Sequence, residues 1–120
     1  MATVMAAAGA GPAVRVDGAG LAGRATELLP QLRAAAAEAD TLRRIPDASI
    51  AALVAAGLPR VFQPARFGGP ELPMSAVLPL VAGVASACPS TAWVLAVLQI
   101  HAWIVGLFPD AAQEEVFGGA

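Results

Sequence analysis

The chain has no tyrosine, one cysteine and one histidine, and its seven basic residues are all arginine. Each shortage excludes something. Without tyrosine, and with an aromatic content of 5%, the chain is poor in the residues that fill a β-sandwich or barrel. The lone Cys88 rules out an internal disulfide framework and gives no pair of thiolates for a metal, so no metal site is expected. A chain without disulfides suits a reducing compartment, and a cytoplasmic location is expected. The arginines are spread along the chain and nearly balanced by nine acids, for a net charge of −2. Nothing in that pattern forms an electrostatic footprint for nucleic acid. Charge is also missing from one long region: no Asp, Glu, Lys or Arg occurs between Met74 and Phe108.

That uncharged region raises the question of a membrane. A spanning helix needs about 20 apolar residues. Pro79 and Pro89 divide the stretch, and its longer piece, Ser90–Phe108, carries Gln99 and His101. The pieces fit buried helices of a larger assembly better than a membrane hairpin, since a helix that is apolar all round is normally interior.

Alanine is what the chain has in abundance, at 30 of 120 residues, and alanine favours helix. Residues 1–20 are Ala/Gly-rich, lack the basic start of a secretory signal, and read as a disordered lead-in. Five helices are expected, near 21–43, 47–56, 74–87, 90–106 and 110–117, from apolar spacing and from Pro and Gly punctuation. Pro30 should kink the first or divide it. Asp47 suits the cap or the first turn of the second, and Gly57 the glycine position after its end. Leu58 to Leu72, with three prolines and two glycines, reads as loop, pinned by Val61, Phe62 and Phe67. Ser90 or Thr91 is expected to cap the fourth helix. The fold class is all-α.

Within 90–106, Trp93, Val97 and His101 fall on one stripe, because residues four and eight apart share a helix face. Such a stripe lines a core as readily as a pocket. Trp93 by itself is simple core packing, and a lone His on an apolar helix is more often a satisfied interior residue than a catalyst. Its titration range nevertheless suits proton handling near neutrality. Trp103 points to another face and reads as packing. Cys88 reads as a small buried residue, Gly68 and Gly69 as turn glycines, and Glu114 and Glu115 as a solvated helix face.

Seven blocks in order resemble a known family: a helix with an internal proline, Arg43-Arg44-Ile45-Pro46-Asp47, Ala55-Ala56-Gly57-Leu58, Pro64-Ala65-Arg66-Phe67-Gly68-Gly69, Ala87-Cys88-Pro89-Ser90-Thr91-Ala92-Trp93, His101, and Phe108-Pro109. Over Leu21 to Gly118 the chain is similar to the N-terminal helical domain of the acyl-CoA dehydrogenase superfamily. The Cys-Pro-Ser-Thr-Ala-Trp block with the later His most resembles its flavin-dependent monooxygenase branch, the oxygenases of 4-hydroxyphenylacetate and of steroid-ring phenols.

The resemblance implies a chain truncated after its first domain, lacking the β-barrel and C-terminal helical bundle of the family. It implies a two-component enzyme in which a separate reductase delivers reduced FMN or FAD. The flavin and O₂ then hydroxylate an aromatic or phenolic substrate. His101 matches a residue that polarises or deprotonates the phenol. Trp93 matches one near the flavin ring, Ser90 is a secondary flavin contact, and Val97 would line the substrate pocket. A homotetramer is expected of the full-length form and little activity of the 120 residues alone. Two other functions stay open at this point: an FAD-dependent acyl-CoA dehydrogenase acting on a thioester, and a small helical interaction or membrane-associated protein.

Overall fold

The computed structural model describes residues 18–119, which form six α-helices and two short 3₁₀ turns, with no strand among them. The helices are α1 (Gly18–Ala34), α2 (Ala36–Leu42), α3 (Asp47–Ala55), α4 (Met74–Ala87), α5 (Pro89–Val105) and α6 (Asp110–Phe117). The all-α expectation is met. The expected lead-in, residues 1–20, falls outside the described residues except for its last three, and those are helical rather than disordered. Leu21 is fully buried and Ala25 nearly so. Seating Leu21 against the core draws the turn before it into helical register.

The expected single helix over 21–43 is two. The division lies at Ala35 (φ −84°, ψ −5°) and not at Pro30, which α1 carries inside it. A proline removes one rung of the hydrogen-bond ladder. Here Leu21, Ala25 and Leu32 anchor the segment on both sides of that rung, and burial of each leucine is worth about 1.5–3 kcal/mol. The break at Ala35 is slight, since Ala35 N–H still donates to Gln31 O and Ala39 N–H to Ala35 O.

Helix α4 is the centre of the packing, with α1 on one side and α5 on the other. Its Val77, Leu80, Val84 and Ala87 are buried, at spacings of three and four that keep them on one face. They meet Leu21, Ala25 and Leu32 from α1 and Ala92 and Leu95 from α5. Leu53 of α3 and Leu58, Val61 and Phe62 of the following segment complete the core. Arg24 on α1 donates to Ala56 O at the end of α3 and closes that corner.

The segment after α3 is more ordered than the loop expected from its sequence. Gly57 takes the left-handed conformation that ends α3, as expected (φ 78°). Leu58–Arg60 and Ala65–Phe67 each make a 3₁₀ turn. The segment then doubles back, with Leu72 N–H donating to Val61 O and Glu71 N–H to Gln63 O. Gly68 sits at φ 79°. A Cβ on Gly69 would lie 2.1 Å from Gln63 O, so both are turn glycines for physical reasons. Val61 and Phe62 are buried and Phe67 half-buried, as their anchoring role requires.

Candidate functional site

Helix α5 begins earlier than expected and without the expected cap. Its N-cap is Cys88, and no side chain bonds the free N–H groups of its first turn. Pro89 takes the first helical position, for which its fixed φ is suited. That shifts Ser90 and Thr91 into the first turn, past the capping position. Thr91 is buried and its Oγ1 donates to Cys88 Sγ at 3.2 Å. Cys88 itself is buried, as expected. Ser90 is exposed, so its hydroxyl is available to a ligand.

Thr91, Ala92, Leu95, Leu98, Gln99 and Ala102 form the buried face of α5. At 100° per residue, Ser90, Trp93, Val97, His101 and Ile104 project from the opposite side. Trp93 is 73% exposed, His101 is exposed and Val97 is half-buried. The core-packing readings of Trp93 and His101 are therefore corrected: the apolar core is behind them. Trp103 is also not packed away, being 40% exposed. The outward face of α5 has no carboxylate, ammonium or guanidinium on it, while Ser90, the Trp93 indole and His101 supply isolated polar atoms.

His101 is held by its own helix. Nδ1 lies 2.6 Å from Val97 O. A carbonyl oxygen only accepts, so in the neutral ring Nδ1 carries the hydrogen and Nε2 keeps its lone pair. Val97 thus contributes the oxygen that orients the imidazole.

An open cleft of about 530 Å³ runs between the end of α2 and the start of α5, lined among others by Asp40, Arg43, Arg44, Ile45, Ser90 and Trp93. Ser90 and Trp93 therefore meet in one concavity. Val97 and His101 are not part of its lining; His101 stands roughly 12 Å further along α5, at 1.5 Å per residue. The two arginines were not singled out as site residues from the sequence. No local sequence signal marks them; in the structure Arg43 adopts the left-handed conformation at the end of α2 (φ 57°), where glycine or asparagine is usual. Arg44 is engaged with Asp47 at 2.7 Å. Among the described residues no cluster of potential metal ligands occurs, and no helix is long and apolar enough to cross a membrane.

The far end of α5 is tied down by residues whose part the sequence did not reveal. Gln113 on α6 donates to Gly106 O (3.0 Å) and Phe108 O (2.8 Å) and accepts from Arg66 Nη2 (3.1 Å). Arg66 also pairs with Asp110 and Glu114 and lies over the Phe67 ring, 4.3 Å from its centroid. Glu114 and Glu115 are solvated as expected, although Glu114 takes part in this cluster.

The same arrangement of helices occurs in known proteins. The HsaA monooxygenase structure from Mycobacterium tuberculosis superposes with a TM-score of 0.82 at 34% identity, over 86% of this chain and 28% of that one. In sequence, the oxygenase subunit HsaA of a flavin-dependent monooxygenase from Rhodococcus jostii is 43% identical over 95 residues, 79% of this chain and 25% of the relative. The chain shares the acyl-CoA dehydrogenase-like fold of these structures and is similar in sequence to its flavin-dependent monooxygenase branch. A further member of the branch, the oxygenase component of p-hydroxyphenylacetate 3-hydroxylase from Acinetobacter baumannii, is 33% identical over 102 residues, 85% of this chain and 24% of the relative. No family model matches the chain. It spans about a quarter of the length of these relatives.

The exposed face of α5 fits what a flavin of this branch needs from one wall of its site. A large, flat, weakly polar ring system is complemented by an exposed indole and by an uncharged surface with a few hydrogen-bonding atoms. Ser90, Trp93, Val97 and His101 supply that combination without a single acidic side chain on the face.

Proposed function

We infer that the chain forms one wall of the active site of a two-component flavin-dependent monooxygenase acting on an aromatic or phenolic substrate. The observation that carries this reading is the exposed, uncharged stripe Ser90–Trp93–Val97–His101 on the side of α5 opposite the core. The relatives are named as oxygenase subunits or components, which supports a separate reductase as the source of reduced flavin, FMN or FAD. The reading carries with it a homotetramer and a cytoplasmic location for the working enzyme.

The flavin, when bound, supplies the electrons that activate O₂, so that one oxygen atom enters the substrate and the other leaves as water. The chain's own residues do the rest. Trp93 would offer its exposed indole to the flavin ring and help exclude water from it. Ser90 offers a hydroxyl at the edge of that contact. Val97 lines the substrate pocket between Trp93 and His101.

His101 handles the proton. With Nδ1–H held on Val97 O, Nε2 is an acceptor directed away from the helix. A phenol oxygen donating to Nε2 gains electron density, and so does its ring. If the proton transfers, both ring nitrogens carry hydrogen, and Nδ1 keeps its bond to Val97 O. A positioned group of this kind contributes about 10²–10⁴ in rate.

The test is a chimera in which this chain replaces the N-terminal quarter of the Rhodococcus jostii relative. His101→Ala should slow hydroxylation by about 10²–10⁴ while flavin affinity is retained, and H₂O₂ released per product formed should rise. His101→Asn should recover part of the rate if hydrogen bonding is the role and little if proton transfer is. Wild-type rate and coupling in the Ala variant would remove His101 from the mechanism.

A further inference from the structure

We propose that Gln113 is a positioning residue for His101, and that Arg66 holds it in place. The proposal rests on the role of His101 argued above, but its test does not.

Helix α5 ends at Val105, four residues after His101, so His101 opens its last turn. The last carbonyls of a helix have no partner within it. An end of this kind frays unless something else binds those oxygens, and fraying by a turn reaches His101. The usual remedy is a left-handed glycine after the helix. Gly106 does not supply it: its φ is −60° and its ψ −17°. Instead the backbone caps itself: the N–H groups of Gly106, Leu107 and Phe108 bond Ala102 O, Ile104 O and Val105 O as the chain runs on into α6.

Gln113 holds that capping turn in place from the next helix. It is 8% exposed. Its amide has two N–H groups, and Nε2 bonds both Gly106 O and Phe108 O. Its oxygen accepts from Arg66, so the head group makes three hydrogen bonds. The orientation of the amide follows from its partners, since two carbonyl oxygens need donors and a guanidinium needs an acceptor. Arg66 is fixed in turn by the Asp110 and Glu114 carboxylates on either side of Gln113 in sequence and by the Phe67 ring, which meets Phe117 with centroids 5.5 Å apart. The segment carrying Arg66, helix α6 and the end of α5 thus form one corner, and His101 lies at its edge. A side chain of glutamine length that both donates twice and accepts is required here; leucine satisfies none of the three bonds.

The chain has a single histidine, so exchange of its imidazole Cε1–H for deuterium, read by mass spectrometry across pH, reports on that ring alone. Backbone exchange of the peptide covering Ala102–Phe108 reports on the helix end. Both measurements work at low concentration, where the chain stays dispersed. Gln113→Leu should speed backbone exchange over Ala102–Phe108 by about fivefold or more, the size expected for losing a capping bond, and should shift the pH profile of the His101 ring. Gln113→Glu keeps the Arg66 contact but loses both donors, and should behave like Gln113→Leu. If either variant fails to fold, Arg66→Gln, which removes only the outer anchor, should produce the same two changes to a smaller degree. Unchanged ring exchange in folded variants would overturn the proposal whatever the backbone does, and so would unchanged backbone exchange. Neither outcome bears on whether His101 takes part in hydroxylation, which the chimera tests separately.

Discussion

The imidazole of His101 and the carbonyl oxygen of Val97, one turn earlier on the same helix, are 2.6 Å apart. The bond turns a side chain that could rotate freely on an exposed face into one with a defined tautomer and a defined outward atom. In the neutral ring, ¹⁵N NMR should show a protonated Nδ1 and an unprotonated Nε2. Equal populations of the two tautomers would mean that the bond does not persist in solution.

Gly69 should be intolerant of any side chain. A Cβ there would lie 2.1 Å from Gln63 O and 2.6 Å from the carbonyl carbon. Both are backbone atoms and cannot swing aside. Gly69→Ala should lower stability by about 1–3 kcal/mol or more, measured by urea unfolding. Gly83, inside α4 with nothing within 4 Å of the same point, is its control. Gly83→Ala should raise stability by roughly 0.5–1 kcal/mol through helix propensity.

Leu95 and Leu78 should differ sharply. Leu95 is fully buried on the core face of α5, and Leu78 is 59% exposed on α4. Leu95→Ala should cost about 2–5 kcal/mol, from lost transfer energy and the cavity left behind. Leu78→Ala should stay within about 0.5 kcal/mol. A similar loss at both positions in thermal unfolding would contradict the packing described.

The 120 residues alone should neither bind flavin tightly nor turn over. On the function proposed above they would provide one wall, and a cofactor of this size is normally enclosed on most sides. A stoichiometric, tight flavin complex of the purified chain by fluorescence quenching would show that the site is placed wrongly. Trp93, Trp103, Ile104, Leu107 and Phe108 expose apolar surface along and beyond α5. Light scattering should therefore detect self-association as concentration rises, weakened by Trp93→Ser.

Much was legible in the residues themselves. Alanine content, the Pro and Gly punctuation and the apolar spacing placed five helices, four of them to within about a residue at each end, because those signals act locally on the backbone. The stripe of Trp93, Val97 and His101 was likewise a matter of helical period. That these three side chains share a face follows from their spacing alone.

The direction in which that face turns depends on packing across the fold. Both sides of α5 are apolar and uncharged, so its pattern could not separate core from surface. The decision came from packing partners distant in sequence: α4 and the Leu58–Arg60 turn took the side with Leu95, Leu98 and Gln99, and Gln99 Nε2 found Leu58 O at 2.9 Å. The same holds for Pro30, whose local preference for a break was outweighed by burial on either side of it. It holds for Gln113 as well, which has no local signature and acquires its role only when the end of α5 and Arg66 are brought to it.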